Sequence, residues 1–244
     1  LTYLKSPGLE KDFEESSSSY SSGQIASSSA PSPGDPIQET SSSEAVLKQA
    51  KADLRHSDPQ VRILAIRYYL EKSLPSVPLS LLQEILSDRD PEVRAQALRS
   101  LIKFRSPIVA PLLKKYLKDS DPRVRIAALR GMFRFQEKID LNIFIQFLSD
   151  ESTRVRRKVA TLLGWAQIEG ALPVLKELSR DVHPMVRRAA LFSLATLYPD
   201  ESENVLIEAM TDPDPELRKW AKTTLEKLLT TPSHAKATSL TARG

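Results

Sequence analysis

The sequence predicts an all-α solenoid, a right-handed superhelix of about six helical hairpins. Three regularities carry that expectation. A Val-Arg or Leu-Arg pair returns at Val61, Val93, Val124, Val155, Val186 and Leu217, in steps of 32, 31, 31, 31 and 31 residues. A period of this size belongs to a stack of copied units in which each unit touches only its neighbours. A helix-start signal stands just ahead of the pairs, and a shorter apolar stretch precedes each signal in register.

The third unit shows the logic of one copy. It reads Asp119-Ser120-Asp121-Pro122-Arg123-Val124-Arg125. Asp caps free backbone N–H groups, and Pro suits a first turn where its missing N–H had no partner. Val124, Ala128, Leu129 and Met132 follow at helical spacing as a buried stripe. The fourth place after the Val is small in most units, at Ala65, Ala97, Ala128, Ala190 and Ala221, with Val159 the exception. A small residue there lets a neighbouring helix approach closely. The preceding helix of each unit carries apolar pairs: Leu81, Leu82, Ile85 and Leu86; then Leu112, Leu113, Tyr116 and Leu117; then Ile143, Phe144, Phe147 and Leu148. Pro111 and Pro173 lie in first turns. One hairpin cannot bury both faces, so stacking buries them.

A charged series accompanies this core. Six residues separate Asp88 from Arg94, Asp119 from Arg125, Asp150 from Arg156, Asp181 from Arg187 and Asp212 from Arg218. The first unit has His56 in the Asp place, ahead of Arg62. The series reads as an inter-helix, inter-repeat ladder whose bidentate arginines fix repeat orientation, with Arg125 expected to neutralise Asp119.

The Asp-x-Asp-Pro-x-Val-Arg-x-x-Ala pattern resembles HEAT repeats, in particular the short prokaryotic-type HEAT-like repeat of phycobilisome lyases. The resemblance covers roughly residues 45 to 229. It implies a solenoid whose second helices line the concave face, in a family of scaffolds, adaptors and a few enzymes. The Thr-Pro-Leu-His signature of ankyrin repeats and the Trp-Leu-Gly-Tyr signature of tetratricopeptide repeats are missing.

Composition changes at the edges of the array. Residues 1–44 hold serine runs at Ser16 to Ser19, Ser27 to Ser29 and Ser41 to Ser43, with Pro31, Pro33 and Pro36 between. So few apolar residues cannot offset chain entropy, and a disordered acidic tether is expected there, with a polar tail over 230–244. The tether sets Lys5 and Lys11 against seven carboxylates, net −5, and the tail adds Lys236 and Arg243. With +4 for the whole chain, the repeats carry +7. A basic array suits an anionic partner, or the tether folding back. The absence of cysteine excludes disulfides, thiolate metal sites and Cys nucleophiles. No apolar run reaches membrane-spanning length and no signal-peptide core is present, so a cytoplasmic location is expected. The first residue is Leu1, which leaves room for an upstream domain or anchor.

No catalytic constellation is legible. His56 and His183 fall in turns and His234 in the tail. The HEAT-like hydroxylases of the deoxyhypusine type hold iron with His-Glu pairs, whereas the neighbours here are Ser57, Pro184 and Ala235. His183 stands at a cap position that Asp holds elsewhere. Gly is scarce and forms no phosphate loop. No cofactor or metal is expected. The second and sixth places after the Val are expected to point outward, one turn apart. They hold Ile63/Arg67, Ala95/Arg99, Ile126/Arg130, Arg157/Thr161, Arg188/Phe192 and Lys219/Thr223. The result is one cation per unit: Arg67, Arg99, Arg130, Arg157, Arg188 and Lys219. Phe133, Trp165, Phe192 and Trp220 are candidate aromatic anchors or inter-helix packing. The expected function is a monomeric, non-catalytic scaffold holding an acidic protein or peptide along this stripe. The alternatives are nucleic-acid binding, as in HEAT-like DNA glycosylases, and a bilin lyase or isomerase by family analogy.

Overall fold

A computed structural model describes residues 45, 48–70, 79–103, 109–135, 140–166, 168 and 170–230. The chain divides into two units, Leu1–Ser42 and Ser43–Gly244, and all described residues belong to the second. The expected serine-rich tether lies outside the described residues, as does the tail beyond Thr230.

Among the described residues the second unit is a helical array. The helices are α1 (Pro59–Ala65), α2 (Leu79–Leu86), α3 (Pro91–Lys103), α4 (Val109–Tyr116), α5 (Pro122–Phe135) and α6 (Leu141–Ile145), then α7 (Thr153–Ala166), α8 (Ala171–Leu178), α9 (Pro184–Leu197), α10 (Pro199–Ala209) and α11 (Pro215–Thr230). They pair into six hairpins, the first opened by helical residues 48–53. The array is an α-solenoid. The second helices α1, α3, α5, α7, α9 and α11 pack directly on one another in sequence, and the first helices α2, α4, α8 and α10 pack against second helices.

Local sequence explains where the second helices begin. Asp58, Asp90, Asp121 and Asp214 each accept a backbone N–H of the following turn, from Gln60, Glu92, Arg123 and Leu217 at 2.8–2.9 Å. Proline follows each of these caps. His183 takes the same role, its Nδ1 accepting the Met185 N–H at 3.2 Å. The fourth-place residues are all buried, Val159 included. α1 differs in widening into a π-helical turn over Ile66–Leu70. That turn holds buried Tyr69, whose hydroxyl donates to Asp53 at 2.9 Å. Burial and this carboxylate together push the phenol up to about 12.

The charged ladder is present, but its carboxylate partners are not those six residues away. Each arginine grips the aspartate of the next unit. Arg62 pairs with Asp88, Arg94 with Asp119, Arg125 with Asp150, Arg156 with Asp181 and Arg187 with Asp212, at 2.6–2.8 Å. Each guanidinium donates through Nε and Nη2 to the two carboxylate oxygens, and through Nη1 to backbone carbonyls of its own turn. The residue six places back therefore supplies only its carbonyl: Asp119 O receives Arg125 Nη1 at 2.9 Å, while the Asp119 carboxylate belongs to Arg94. The reason is direction. The place after the Val faces the following unit, so the fork reaches forward while its inner nitrogen stays over its own turn.

Each ladder aspartate does a second job. Its Oδ1 accepts the N–H two residues on, as Asp119 does from Asp121 at 2.9 Å and Asp181 from His183 at 2.8 Å. His56 does the same for Asp58 through Nδ1 at 3.1 Å. Among the described residues no ladder arginine precedes it, so a ring nitrogen serves where elsewhere a carboxylate must.

Burial opposes ionisation of Asp181 and Asp212. Hydrogen bonds from Arg156 and Arg187, and from the turn N–H groups, outweigh it and hold both carboxyls below the usual range. A depressed folded-state value means that the unfolded chain binds protons first as pH falls. This stabilisation is full above about pH 5 and is lost below about pH 4 as the two carboxyls protonate. Denaturation midpoints measured from pH 7 to pH 3 are expected to stay level and then fall. A rise on the acid side would contradict the ladder geometry.

Candidate inner surface

The candidate site is the line of second helices, because these pack on one another without interruption. The second and sixth places do not all face outward, as the spacing alone predicts. Ala95 is fully buried and Ile63 is 8% exposed, so in the first two units the second place belongs to helix packing. Ile126 is half-buried against the core. At the other end Arg188 and Lys219, at the same place on α9 and α11, are exposed. The sixth place is exposed at Arg67 and half-buried at Arg99 and Arg130. Arg157, at the second place of α7, is half-buried too.

The six cations differ in availability. Arg99 forms a short ion pair with Glu92 on its own helix, and its Nη2 donates to Gln96 Oε1 at 3.0 Å. Glu92 also receives Arg123 at 3.2 Å, and Arg123 is clamped to Asp121 at 2.8 Å. The Asp121 hydrogen bond holds Arg123 above its usual value despite the opposing effect of burial, and the same bond holds Asp121 below the usual carboxylate range. Positive charge along α3 and the start of α5 is thereby neutralised locally. Arg67, Arg130 and Arg157 are engaged as well. Arg188 and Lys219 have no side-chain hydrogen bond or ion pair among the described residues, and neither does exposed Arg154 at the start of α7. Of the six candidate cations, the two available ones thus sit in the second half of the array.

The aromatic candidates separate in the same way. Phe133 and Trp220 pack against the core, and Phe192 is half-buried. Trp165 is 39% exposed, with Lys158 Nζ lying 5.7 Å from its ring centroid. This contact joins residues seven apart on α7 and has the geometry of a cation–π pair. Neither the Glu92 network nor the Lys158–Trp165 pair follows from the repeat pattern. The first crosses between units, and the second occupies places that other units fill differently.

Among the described residues no three His, Cys, Asp or Glu side chains cluster to hold a metal ion. A cleft of about 320 Å³ lies at the last ladder step, lined by Arg180, Asp181, Arg187, Glu208 and Asp212 among others. Its charges are already paired, Arg187 with Asp212 and Arg180 with Glu208 at 3.1 Å. No described helix is long and apolar enough to cross a membrane.

The model of the HEAT repeat family matches residues 44–132, 111–182 and 173–243. The chain belongs to the HEAT repeat family. No curated protein matches it significantly. Among solved structures it is similar to the complex of CpcE and CpcF of phycocyanin lyase from Nostoc sp. PCC7120. That match has 20% identity and a TM-score of 0.49, over 83% of this chain and 79% of that one. A designed armadillo repeat protein matches at 21% identity and a TM-score of 0.47, over 75% of this chain and 99% of that chain. Human deoxyhypusine hydroxylase in complex with glycerol matches at 16% identity and a TM-score of 0.38, over 81% and 93%. Likeness at this level carries no activity across to this HEAT repeat protein.

Proposed function

We propose that this HEAT repeat protein is a non-catalytic interaction scaffold that holds an acidic protein or peptide segment along its second helices. The contact set is Arg67, Arg99, Arg130, Arg157, Arg188 and Lys219. Arg188 and Lys219 contribute most, because their charges are not already spent on internal carboxylates. The observation that carries this reading is that pair: two exposed cations at the same place on adjacent helices, without a side-chain partner among the described residues. The core requires neither charge. Cations that converge on one face attract an acidic segment and repel a basic one. The HEAT repeat fold, which presents stacked helices as an extended surface, favours binding.

The test uses a poly-glutamate peptide as probe, at low ionic strength, with duplex DNA as the competing anion. Arg188→Glu combined with Lys219→Glu is expected to leave the thermal midpoint nearly unchanged, since exposed substitutions cost within about 0.5 kcal/mol each. Peptide affinity is expected to fall by about tenfold or more, as two attractions become repulsions. Wild-type affinity in the folded double variant would move the surface to the first helices. Tighter binding to DNA than to poly-glutamate, with a steep salt dependence, would favour the nucleic-acid reading.

A further inference from the structure

We propose that Arg218 is a preformed carboxylate receptor at the last described rung of the ladder. It takes the acidic turn of a partner protein, an aspartate two residues ahead of a helix N-cap. The Arg218 fork is not one of the six cations of the inner surface and its test does not depend on that reading, although Lys219 borders both.

The ladder shows what such a fork is built to hold. In five units the arginine Nη1 is fastened to two carbonyls of its own turn, and Nε and Nη2 grip the next unit's aspartate. Arg187 is the nearest example. Its Nη1 donates to Asp181 O at 2.9 Å and Val182 O at 3.0 Å, while Nε and Nη2 donate to Asp212 at 2.7 and 2.6 Å. Arg218 has the first half of this arrangement. Its Nη1 donates to Asp212 O at 2.7 Å and to Pro213 O at 3.1 Å. Its Nε and Nη2 have no partner among the described residues. The Arg187 side chain is only 11% exposed, whereas Arg218 is exposed. The guanidinium is therefore already oriented, and a carboxylate meets a planar two-pronged donor with little further ordering to do.

The surroundings select an acidic turn over another hairpin of the same type. Four places after its arginine, each earlier unit buries an apolar residue: Ile66, Leu98, Leu129, Ala160 and Leu191. The last unit has exposed Lys222 there, next to exposed Lys219. This end offers Arg218, Lys219 and Lys222 against the exposed carboxylates Glu216 and Glu226 of the same helix. A further hairpin would set its apolar face against Lys222, whereas an acidic turn would find a complementary charge. The chain's own first unit does not supply the ligand in ladder register. Its equivalent residue is His56, which pins the turn through Nδ1 and carries no carboxylate. A second copy stacked head to tail would present an imidazole ring to the Arg218 fork.

The experiment follows the Arg218 Nε–H resonance in the full chain by NMR. The probe is the blocked peptide Asp-Ser-Asp-Pro-Arg, which copies the turn of residues 119–123; the control has Asn in place of its first Asp. The Asp peptide is expected to give a saturable shift of this resonance, and the Asn peptide to bind about fivefold more weakly, the scale of one exposed charge pair. Arg218→Gln is expected to abolish the difference between the peptides while leaving the backbone spectrum otherwise intact. Equal binding of the two peptides would overturn the proposal, as would unchanged selectivity in Arg218→Gln. A shift of the Arg218 signal with protein concentration alone would assign the fork to a second copy and overturn the partner assignment.

Discussion

Arg125→Ala is expected to destabilise the protein by about 2–4 kcal/mol, the scale of breaking a buried ion pair from one side. Arg125 and Asp150 each leave only 8% of their side chains exposed. The guanidinium makes four strong contacts: to both Asp150 oxygens at 2.9 and 2.8 Å, and to Asp119 O and Ser120 O at 2.9 Å each. Truncation strips the charge partner from a nearly buried carboxylate, which keeps the Ser152 N–H at 2.8 Å. It also leaves two turn carbonyls to find water. Asp119 is unaffected, because Arg94 holds it. Removing the orphan as well, in Arg125→Ala with Asp150→Ala, is expected to cost less than the sum of the two single changes. Arg218→Ala is the internal control. Its guanidinium is exposed and grips no carboxylate among the described residues, so its loss is expected to cost within about 0.5 kcal/mol. Chemical denaturation of the four variants, with Asp150→Ala alone among them, checks this. Equal losses for Arg125 and Arg218 would show that burial of the pair, rather than the turn contacts, has been overvalued.

The ladder also shows where reading a periodic sequence stops. Asp and Arg each recur with the period of the unit, so a separation of six within a unit and one of about 25 between units recur equally often. Periodicity alone cannot choose between them. The choice is made by the direction in which the place after the Val points, and that depends on how one second helix sits on the next. Local signals fared better because their physics is local. Asp121 and Pro122 announce a helix start that needs no neighbour, and His183 substitutes for Asp because a ring nitrogen can accept the same N–H. The small fourth-place residues were legible because close helix approach demands them. The inner surface was legible in part. The helical repeat gives a face at 3.6 residues per turn, but not which neighbour covers which side of it. Ala95 and Arg188 thus share a place and differ completely in exposure. Pairing of Arg99 and Arg123 through Glu92 spans two units and redistributes the available charge toward α9 and α11.

Gly164→Ala is expected to destabilise the array by about 2–3 kcal/mol, although alanine is the better helix former by close to 1 kcal/mol. Gly164 lies in α7, where α9 crosses closely. A Cβ built there would stand 2.3 Å from Ser193 Oγ and 2.8 Å from Ser193 Cβ. Rotating the hydroxyl away removes the first conflict but breaks its hydrogen bond to Ala160 O, at 2.9 Å in a buried setting. The second conflict remains in every rotamer, since Cβ does not move with χ1. Ser193 Cα at 3.4 Å then limits how far the backbones can be relieved without separation. The two helices must move apart, and α7 against α9 is a link through which the units on either side are stacked. The partner substitution separates this mechanism from a general intolerance of the site. Ser193→Gly removes both offending atoms, and on its own it costs helix propensity and one buried hydrogen bond. Combined with Gly164→Ala it is expected to recover at least about 1 kcal/mol relative to the sum of the singles, because the new methyl occupies the space that Ser193 vacates. Strict additivity of the two changes in a double-mutant cycle would mean that the methyl is accommodated elsewhere, and that contact between Gly164 and Ser193 does not set the spacing of α7 and α9.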